Sequence, residues 1–227
     1  ALKDCSQVVK VIGDPARMLL EGVDMVRFAM PRMSGDLTGL VQGRALSERI
    51  RDRVAKQLIA GMYEMHTRQV VHLDLKLDNV LYTALVDTAT GELADVCVAY
   101  ADFGLSAVNV PYDSLFEGVR GSGAYVPPEM WQEDRKWNPY AADVYSFGIM
   151  IYALYYASFP FHTSEKKNQH FTKFQLAQAW QRKTPTDALD ALWPCHSLST
   201  VPASRREIFD RCLQIDPSKR FRFDQRD

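Results

Sequence analysis

Long apolar runs and closely spaced cysteines are both missing from this sequence. No stretch reaches the roughly 18 apolar residues of a membrane-spanning helix, so we predict no membrane span, and Ala1 to Lys10 lack the basic-then-apolar order of a signal peptide. The four cysteines form no C-x-x-C pair, which excludes the common zinc-binding patterns. Two interpretations of the cysteines stay open: free thiols, or a disulfide between Cys195 and Cys212 in a secreted protein.

An excess of either charge is also missing. The 227 residues include 27 basic and 28 acidic side chains, so the formal net charge is −1. A nearly neutral chain has no global field that attracts nucleic acid, and we predict no nucleic-acid partner. With 47% hydrophobic residues, the chain has the composition of an ordinary globular protein and enough length for one sizeable core.

Two segments have strong helical patterns. From Ser47 to His66 apolar residues recur at helical spacing. The stretch from Ala142 to Tyr156 is apolar on nearly all faces, which is typical of a central buried helix. Two shorter amphipathic helices are predicted at Lys173 to Arg182 and at Ser204 to Leu213. The larger part of the chain is therefore predicted to be mainly helical.

Short apolar runs bounded by turn residues predict strands. These runs are Gln7 to Gly13, Met25 to Met30, Val70 to His72, Val80 to Tyr82 and Val96 to Tyr100. A polar turn is predicted at Asp87 to Gly91. Phe103 to Trp137 holds too many glycines and prolines for a regular element, so we expect a long loop that handles substrate. Strands and helices together predict an α+β fold.

One stretch carries the residues that matter most for function, His72-Leu73-Asp74-Leu75-Lys76-Leu77-Asp78-Asn79, and Asp102-Phe103-Gly104 follows it. These segments resemble the catalytic loop H-R-D-x-K-x-x-N and the metal-binding D-F-G of the eukaryotic protein kinases. Further segments resemble that family in the same order: Gly121-Ser122-Gly123-Ala124-Tyr125-Val126-Pro127-Pro128-Glu129, Asp143-Val144-Tyr145-Ser146-Phe147-Gly148, Phe159-Pro160-Phe161 and Asp216-Pro217-Ser218-Lys219-Arg220. Their common order argues strongly against coincidence.

The resemblance implies phosphoryl transfer, with ATP and Mg²⁺ as cofactors and a protein as the substrate. Asp74 would accept or orient the proton of the substrate hydroxyl. Lys76 would lie near the transferred γ-phosphate as a point charge. Asn79 and Asp102 would hold Mg²⁺, which prefers oxygen ligands and usually retains waters.

The same resemblance outlines the nucleotide site. Leu81 would form part of the floor beneath adenine. Aligning Ser34-Gly35-Asp36-Leu37 with the family's G-G-x-L places Ala29 at the gatekeeper position and Met30 to Arg32 in the hinge. Asp36 then has two interpretations that stay open: a hydrogen bond to a ribose hydroxyl, or the cap of the following helix.

Other matching residues are structural in the family. Glu129 and Arg220 are expected to form a buried ion pair that ties the end of the long loop to the helical base. Asp143, at the start of the buried helix, is expected to accept hydrogen bonds from the catalytic-loop backbone. Ser122 occupies the place of the threonine that bonds the catalytic aspartate and lysine in serine/threonine kinases. Together with Lys76, it favours serine and threonine hydroxyls as acceptors.

The sequence departs from the family pattern in three places. Leu73 replaces an arginine that normally pairs with a phosphorylated residue of the activation segment, so we expect constitutive activity or another switch, such as a regulatory partner. Thr83 to Asp95 exceeds the usual short hairpin, which suggests a surface insertion. No glycine-rich loop and no V-A-I-K-like lysine precede Val8.

These features define an expected organisation. Residues 1–33 are predicted to be a remnant of the kinase small lobe with the hinge, and residues 34–227 the large lobe. The main prediction is a protein serine/threonine kinase, with these residues alone expected to be inactive, and the alternative is a pseudokinase or interaction scaffold. We expect a cytoplasmic protein. However, Met30-Pro31-Arg32-Met33 resembles the hinge of the secreted rhoptry kinases of apicomplexan parasites, so a secreted effector is the other option.

Overall fold

The computed structural model describes residues 1–43, 46–131, 136–160 and 202–224. Its strands and helices form the expected α+β fold. In chain order the elements are β1 (Ile12–Leu20), β2 (Val23–Ala29), β3 (Gly35–Asp36), α1 (Leu37–Gly43), α2 (Glu48–Thr67), β4 (Val80–Val86), β5 (Leu93–Tyr100), α3 (Pro139–Tyr156) and α4 (Ala203–Cys212). The predicted helix from Lys173 to Arg182 lies outside the described residues. Within the described ranges, no helix combines the length and the apolar character needed to cross a membrane.

Helix α2 begins where the sequence predicts a helix. Ser47 caps it, because its Oγ accepts a hydrogen bond of 3.3 Å from the Ile50 amide. The apolar stripe of the helix is buried, as helical spacing requires. It comprises Ile50, Val54, Leu58, Met62 and Met65. The stripe belongs to the larger apolar cluster, which we call the main core and which also contains buried side chains of α1, β5, α3 and α4. This packing places the end of α2 next to the catalytic loop.

Helix α3 is the central element of the main core. It starts earlier than predicted, because Asn138 caps it through a 3.0 Å hydrogen bond from the Ala141 amide. Pro139 occupies the first turn, where its missing N–H leaves no hydrogen bond unmade. Nearly every side chain of α3 is buried, which explains its apolar character on all faces. The helix ends before Ala157, which adopts the left-handed conformation typical of a C-cap.

Strands β3, β4 and β5 form an antiparallel sheet in that order. The β4–β5 hairpin is longer than the predicted strands, since pairing continues through Leu85 and Asp95. The residues interpreted as a surface insertion therefore extend this hairpin. Its polar turn lies where it is predicted, closed by a 2.8 Å hydrogen bond from the Gly91 amide to the Asp87 carbonyl.

The outer edge of β5 is covered by α2. Gln57 takes the place of a neighbouring strand: its Nε2 donates to the Val96 carbonyl at 2.9 Å, and its Oε1 accepts from the Val98 amide at 3.0 Å. Arg49 adds a 2.9 Å hydrogen bond to the Ala94 carbonyl. Because unpaired strand edges invite pairing with other chains, these contacts both protect the edge and fix the hairpin to the helix.

Strands β1 and β2 form a separate antiparallel ribbon. The prediction of a strand over Gln7 to Gly13 is wrong, because β1 begins at Ile12 and continues through Pro15 to Leu20. Pro15 is tolerated there because the register shifts between Ile12 and Ala16, so no ladder hydrogen bond has to come from its nitrogen. Most apolar side chains of the ribbon are exposed.

The residues before the ribbon pack on the main core. Val8 pairs with Tyr100 in parallel, although a strand of several residues is predicted there. Gly61 of α2 makes room for this packing, since a Cβ at that position would lie 2.7 Å from Tyr100 Cε2 and 2.8 Å from Gln7 Cβ. The Tyr100 hydroxyl donates to the Leu58 carbonyl at 2.9 Å. The end of β5, which leads into the predicted metal loop, is thereby fixed on both sides.

The described cysteines are free thiols: Cys5, Cys97 and Cys212. Cys195, the partner in the alternative disulfide, lies outside the described residues. Cys212 of α4 packs against α3, where Gly148 leaves space, since a Cβ there would lie 2.7 Å from Cys212 Cβ. Burial raises the pKa of Cys212 to about 12 and is the main cause that raises the pKa of Cys5 to about 11. Both thiols are therefore protonated and unreactive at neutral pH.

Candidate active site

The catalytic loop is held by the beginning of α3. The Asp143 carboxylate accepts two backbone hydrogen bonds, from the His72 amide at 2.7 Å and from the Leu73 amide at 2.8 Å. Asp143 is only 1% exposed, so these charge-assisted hydrogen bonds are shielded from water. Leu73 adopts a φ of +64°, which costs free energy for a residue other than glycine. The two amide contacts hold the loop in this conformation.

Three polar side chains converge on Asp74. Ser122 Oγ donates to Asp74 Oδ1 at 2.7 Å. Lys76 Nζ lies 2.9 Å from Asp74 Oδ2 and 2.7 Å from Ser122 Oγ. Asn79 Nδ2 donates to Asp74 Oδ2 at 2.9 Å and to the Asp74 carbonyl at 2.8 Å. The structure thus brings together residues that the sequence assigns to the catalytic, metal-binding and substrate-loop groups.

The surroundings of Asp74 favour its charged form. Burial alone raises the pKa of a carboxyl group, because it removes water from the charge. At Asp74 this effect is outweighed by hydrogen bonds from Lys76, Ser122 and Asn79 and by the charge of Lys76, so the pKa of Asp74 lies below its ordinary value. Asp74 is therefore an ionised hydrogen-bond acceptor at neutral pH.

His72 links the catalytic loop to the loop after β5. Its Nδ1 accepts from the Asp74 amide at 3.3 Å, which assigns the proton to Nε2, and Nε2 donates to the Ala101 carbonyl at 3.0 Å. Burial lowers the pKa of His72 and outweighs the nearby charge of Asp143. Phe103 packs on the neutral ring, with centroids 4.8 Å apart. The D-F-G loop is therefore fixed to the catalytic loop.

Asn79 and Asp102 offer oxygen atoms to one cavity. The side-chain amide of Asn79 donates through Nδ2 to Asp74, while its Oδ1 accepts no hydrogen bond from a described residue. Asp102 is exposed, and among the described residues the one hydrogen bond that its carboxylate accepts runs from the Gly104 amide to Oδ1 at 3.3 Å. One amide oxygen and one carboxylate fit Mg²⁺, which keeps waters and binds substrate phosphates. The described residues form no larger His, Cys, Asp and Glu cluster that could hold a metal.

The cavity lined by Asn79 and Asp102 has a volume of about 720 Å³. Of the residues predicted to bind nucleotide, Met30 and Leu81 line it, whereas Arg32 is exposed and is not among the lining residues. Apolar side chains that the sequence interpretation missed complete the wall: Val9, Val11 and Phe28. Met30 directly follows β2, and alternation along an extended chain places residues two apart on the same side, so the prediction for Met30 was the available signal for Phe28.

Asp36 lies beside this cavity and caps α1. Its Oδ1 accepts a 2.8 Å hydrogen bond from the Gly39 amide, which is the usual contact of an N-cap. Asp36 also pairs in the sheet with Leu81, one of the lining residues. Its other carboxylate oxygen accepts no hydrogen bond from a described residue, so ribose binding stays a prediction next to the observed cap.

Glu129 and Arg220 form a buried bidentate ion pair. Arg220 Nη1 lies 2.5 Å from Glu129 Oε1, and Arg220 Nη2 lies 2.7 Å from Glu129 Oε2. The Arg220 and Glu129 side chains are 0% and 3% exposed. Arg220 also donates to the carbonyls of Gln214 and Ala141, at 2.7 and 2.9 Å. The pair therefore joins the end of the long loop to α3 and to the segment after α4.

Gly121 permits the close approach of the long loop to the catalytic loop. Its φ is +92°, a conformation that glycine adopts without strain. A Cβ at this position would lie 3.0 Å from the Leu73 carbonyl oxygen. The residue after it is Ser122, so the space left by Gly121 lets the Ser122 hydroxyl reach Asp74.

His66 is a residue of the site that the sequence interpretation missed. It lies in the last turn of α2 and is only 1% exposed. Its Nε2 lies 3.2 Å from Asp143 Oδ2, so it supports the same carboxylate that holds the catalytic loop. The available signal was its position four residues after Met62, on the buried stripe of the helix.

Comparison with known proteins agrees with this geometry. The family described as protein kinase domain matches residues 6–226, and the chain belongs to the protein kinase family. The probable serine/threonine-protein kinase RTK1 of Saccharomyces cerevisiae is 29% identical over 89% of this chain and 30% of its own length. The serine/threonine-protein kinase dkf-1 of Caenorhabditis elegans is 26% identical over 86% of this chain and 26% of its own length. The probable serine/threonine-protein kinase CCRP1 of Zea mays is 31% identical over 74% of this chain and 23% of its own length. The chain thus spans less than a third of these relatives.

Proposed function

We propose that this protein transfers the γ-phosphate of ATP to serine or threonine hydroxyls of a protein substrate. The observation that carries the proposal is the contact of Asp74 with both Lys76 and Ser122. Phosphoryl transfer asks a protein for positioning and charge neutralisation more than for covalent chemistry. Asp74, an ionised hydrogen-bond acceptor, lies beside Lys76 and on the same loop as Asn79, whose amide oxygen is suited to Mg²⁺. This arrangement offers both positioning and charge neutralisation.

In this proposal Asp74 orients the acceptor hydroxyl. Its lowered pKa makes it a weak base, so its main contribution is to accept a hydrogen bond from the hydroxyl. It would take the proton as the hydroxyl oxygen bonds to the γ-phosphorus and the bond from that phosphorus to the bridging oxygen breaks, with ADP as the leaving group. Lys76 places its charge beside the transferred group. Ser122 holds Asp74 and Lys76 in position through its two 2.7 Å hydrogen bonds.

The cavity next to Asp74 would hold the nucleotide. Asn79 Oδ1 and the Asp102 carboxylate are the atoms that would bind Mg²⁺, which neutralises charge on the nucleotide phosphates. Met30, Phe28 and Leu81 give the cavity an apolar wall, against which a planar base can pack and exclude water.

The acceptor class is supported by two observations. Ser122 connects Asp74 and Lys76 from the long loop, which is the arrangement that the resemblance to serine/threonine kinases implies. The three relatives named above are all called serine/threonine-protein kinases. Both observations favour serine and threonine over tyrosine as acceptors.

A pseudokinase or interaction scaffold is the second candidate, and one observation favours it. Among the described residues that line the cavity of Asn79 and Asp102, none is basic. Lys76 is engaged with Asp74 and Ser122 instead. Kinases use a lysine on the nucleotide phosphates, and none of these described lining residues supplies one.

Full-length protein with ATP, Mg²⁺ and a generic basic protein tests both candidates. We expect phosphoserine and phosphothreonine in the product, and Asp74→Asn should slow transfer by about 100-fold or more while nucleotide binding is retained. Asp24→Asn, on the exposed ribbon, is the matched control and should behave like the unchanged protein. Lack of both transfer and nucleotide binding would instead support the scaffold, and full activity of Asp74→Asn would contradict the catalytic assignment.

Two broader expectations stay predictions. One is the division into a small-lobe remnant over residues 1–33 and a large lobe over residues 34–227; the ribbon has its own sheet, but Val8 is part of the main core. The other is the cytoplasmic location, with the secreted effector as its alternative. Neither affects the assignment of Asp74, Lys76 and Ser122.

A further inference from the structure

We draw no further inference here: the strongest candidate, the cavity of about 410 Å³ between α1, the catalytic loop and the end of α3, adjoins Asp78 of the catalytic loop and is the groove in which the protein kinase family binds its acceptor proteins, so it restates an established property of the family.

Discussion

Ser122 Oγ donates a 2.7 Å hydrogen bond to Asp74 Oδ1 across 48 positions of the chain. Lys76 Nζ contacts both partners, at 2.7 Å and 2.9 Å, so the three side chains form a closed triangle. One vertex lies on the long loop and two lie on the catalytic loop. The state of Asp74 therefore depends on its contact with the long loop.

Replacing Ser122 with alanine should impair transfer and make Asp74 easier to protonate. The variant loses a hydrogen bond that lowers the pKa of Asp74, and a hydrogen bond to a charged group contributes about 1.5–3 kcal/mol. We expect kcat to fall by roughly 10- to 100-fold and the acid limb of the pH–rate profile to move to higher pH. Steady-state kinetics of the full-length protein measure both. Ser122→Thr keeps the hydroxyl and should retain activity, and an unshifted profile in Ser122→Ala would contradict this role.

Replacing only one partner of the buried ion pair between Glu129 and Arg220 should destabilise the protein strongly. Arg220→Met leaves the Glu129 charge buried without its partner, so the free energy of unfolding should fall by about 3–5 kcal/mol. Adding Glu129→Met should recover part of this loss, since no unpaired charge remains. Chemical denaturation measures these differences. Arg222→Met is the matched control: its pair with Asp224 is 47% exposed on the arginine side, and the cost should be about 0–1 kcal/mol.

Gly61 should not tolerate a side chain. A Cβ there would lie 2.7 Å from Tyr100 Cε2 and 2.8 Å from Gln7 Cβ, although alanine is the better helix former. Overpacking of this kind costs about 1–3 kcal/mol, so Gly61→Ala should lower the free energy of unfolding despite its gain in helix propensity. At Gly43, the last residue of α1, an added Cβ meets nothing within 4 Å. Gly43→Ala should therefore be neutral or slightly stabilising, and equal effects of the two changes would disprove the packing argument.

That Asp74, Lys76 and Asn79 lie together could be predicted from the resemblance of their segment to the catalytic loop of the kinases. Asp74, Lys76 and Asn79 are close in sequence, and their chemistry limits the alternatives. The long helices could also be predicted, because a buried stripe such as that of α2 requires apolar residues at helical spacing in the sequence. Local pattern and local structure coincide in both cases.

The remaining features depend on contacts between distant segments. Pro15 indicates the end of a strand by its own chemistry, but an irregular pairing with β2 accommodates it inside β1. Gln57 looks like an ordinary polar helix residue, and only the position of β5 turns it into a substitute for a neighbouring strand. His66 acquires its partner Asp143 from 77 positions away. No pattern within a single segment reports such contacts.

His72 should make the stability of the protein depend on pH. Burial keeps the pKa of His72 in the folded protein below the ordinary value of 6.5. Below pH 6.5 the unfolded chain therefore binds a proton at this residue more readily than the folded chain does. Stability should therefore fall as the pH drops from 7 to 5, by up to about 1.4 kcal/mol per pH unit for this group. Denaturant titrations at several pH values measure the slope. His72→Gln retains a donor for the Ala101 carbonyl but does not titrate. The free energy of unfolding should therefore change less steeply with pH in this variant, by the amount that corresponds to about one bound proton. Identical slopes would show that His72 is already protonated in the folded protein.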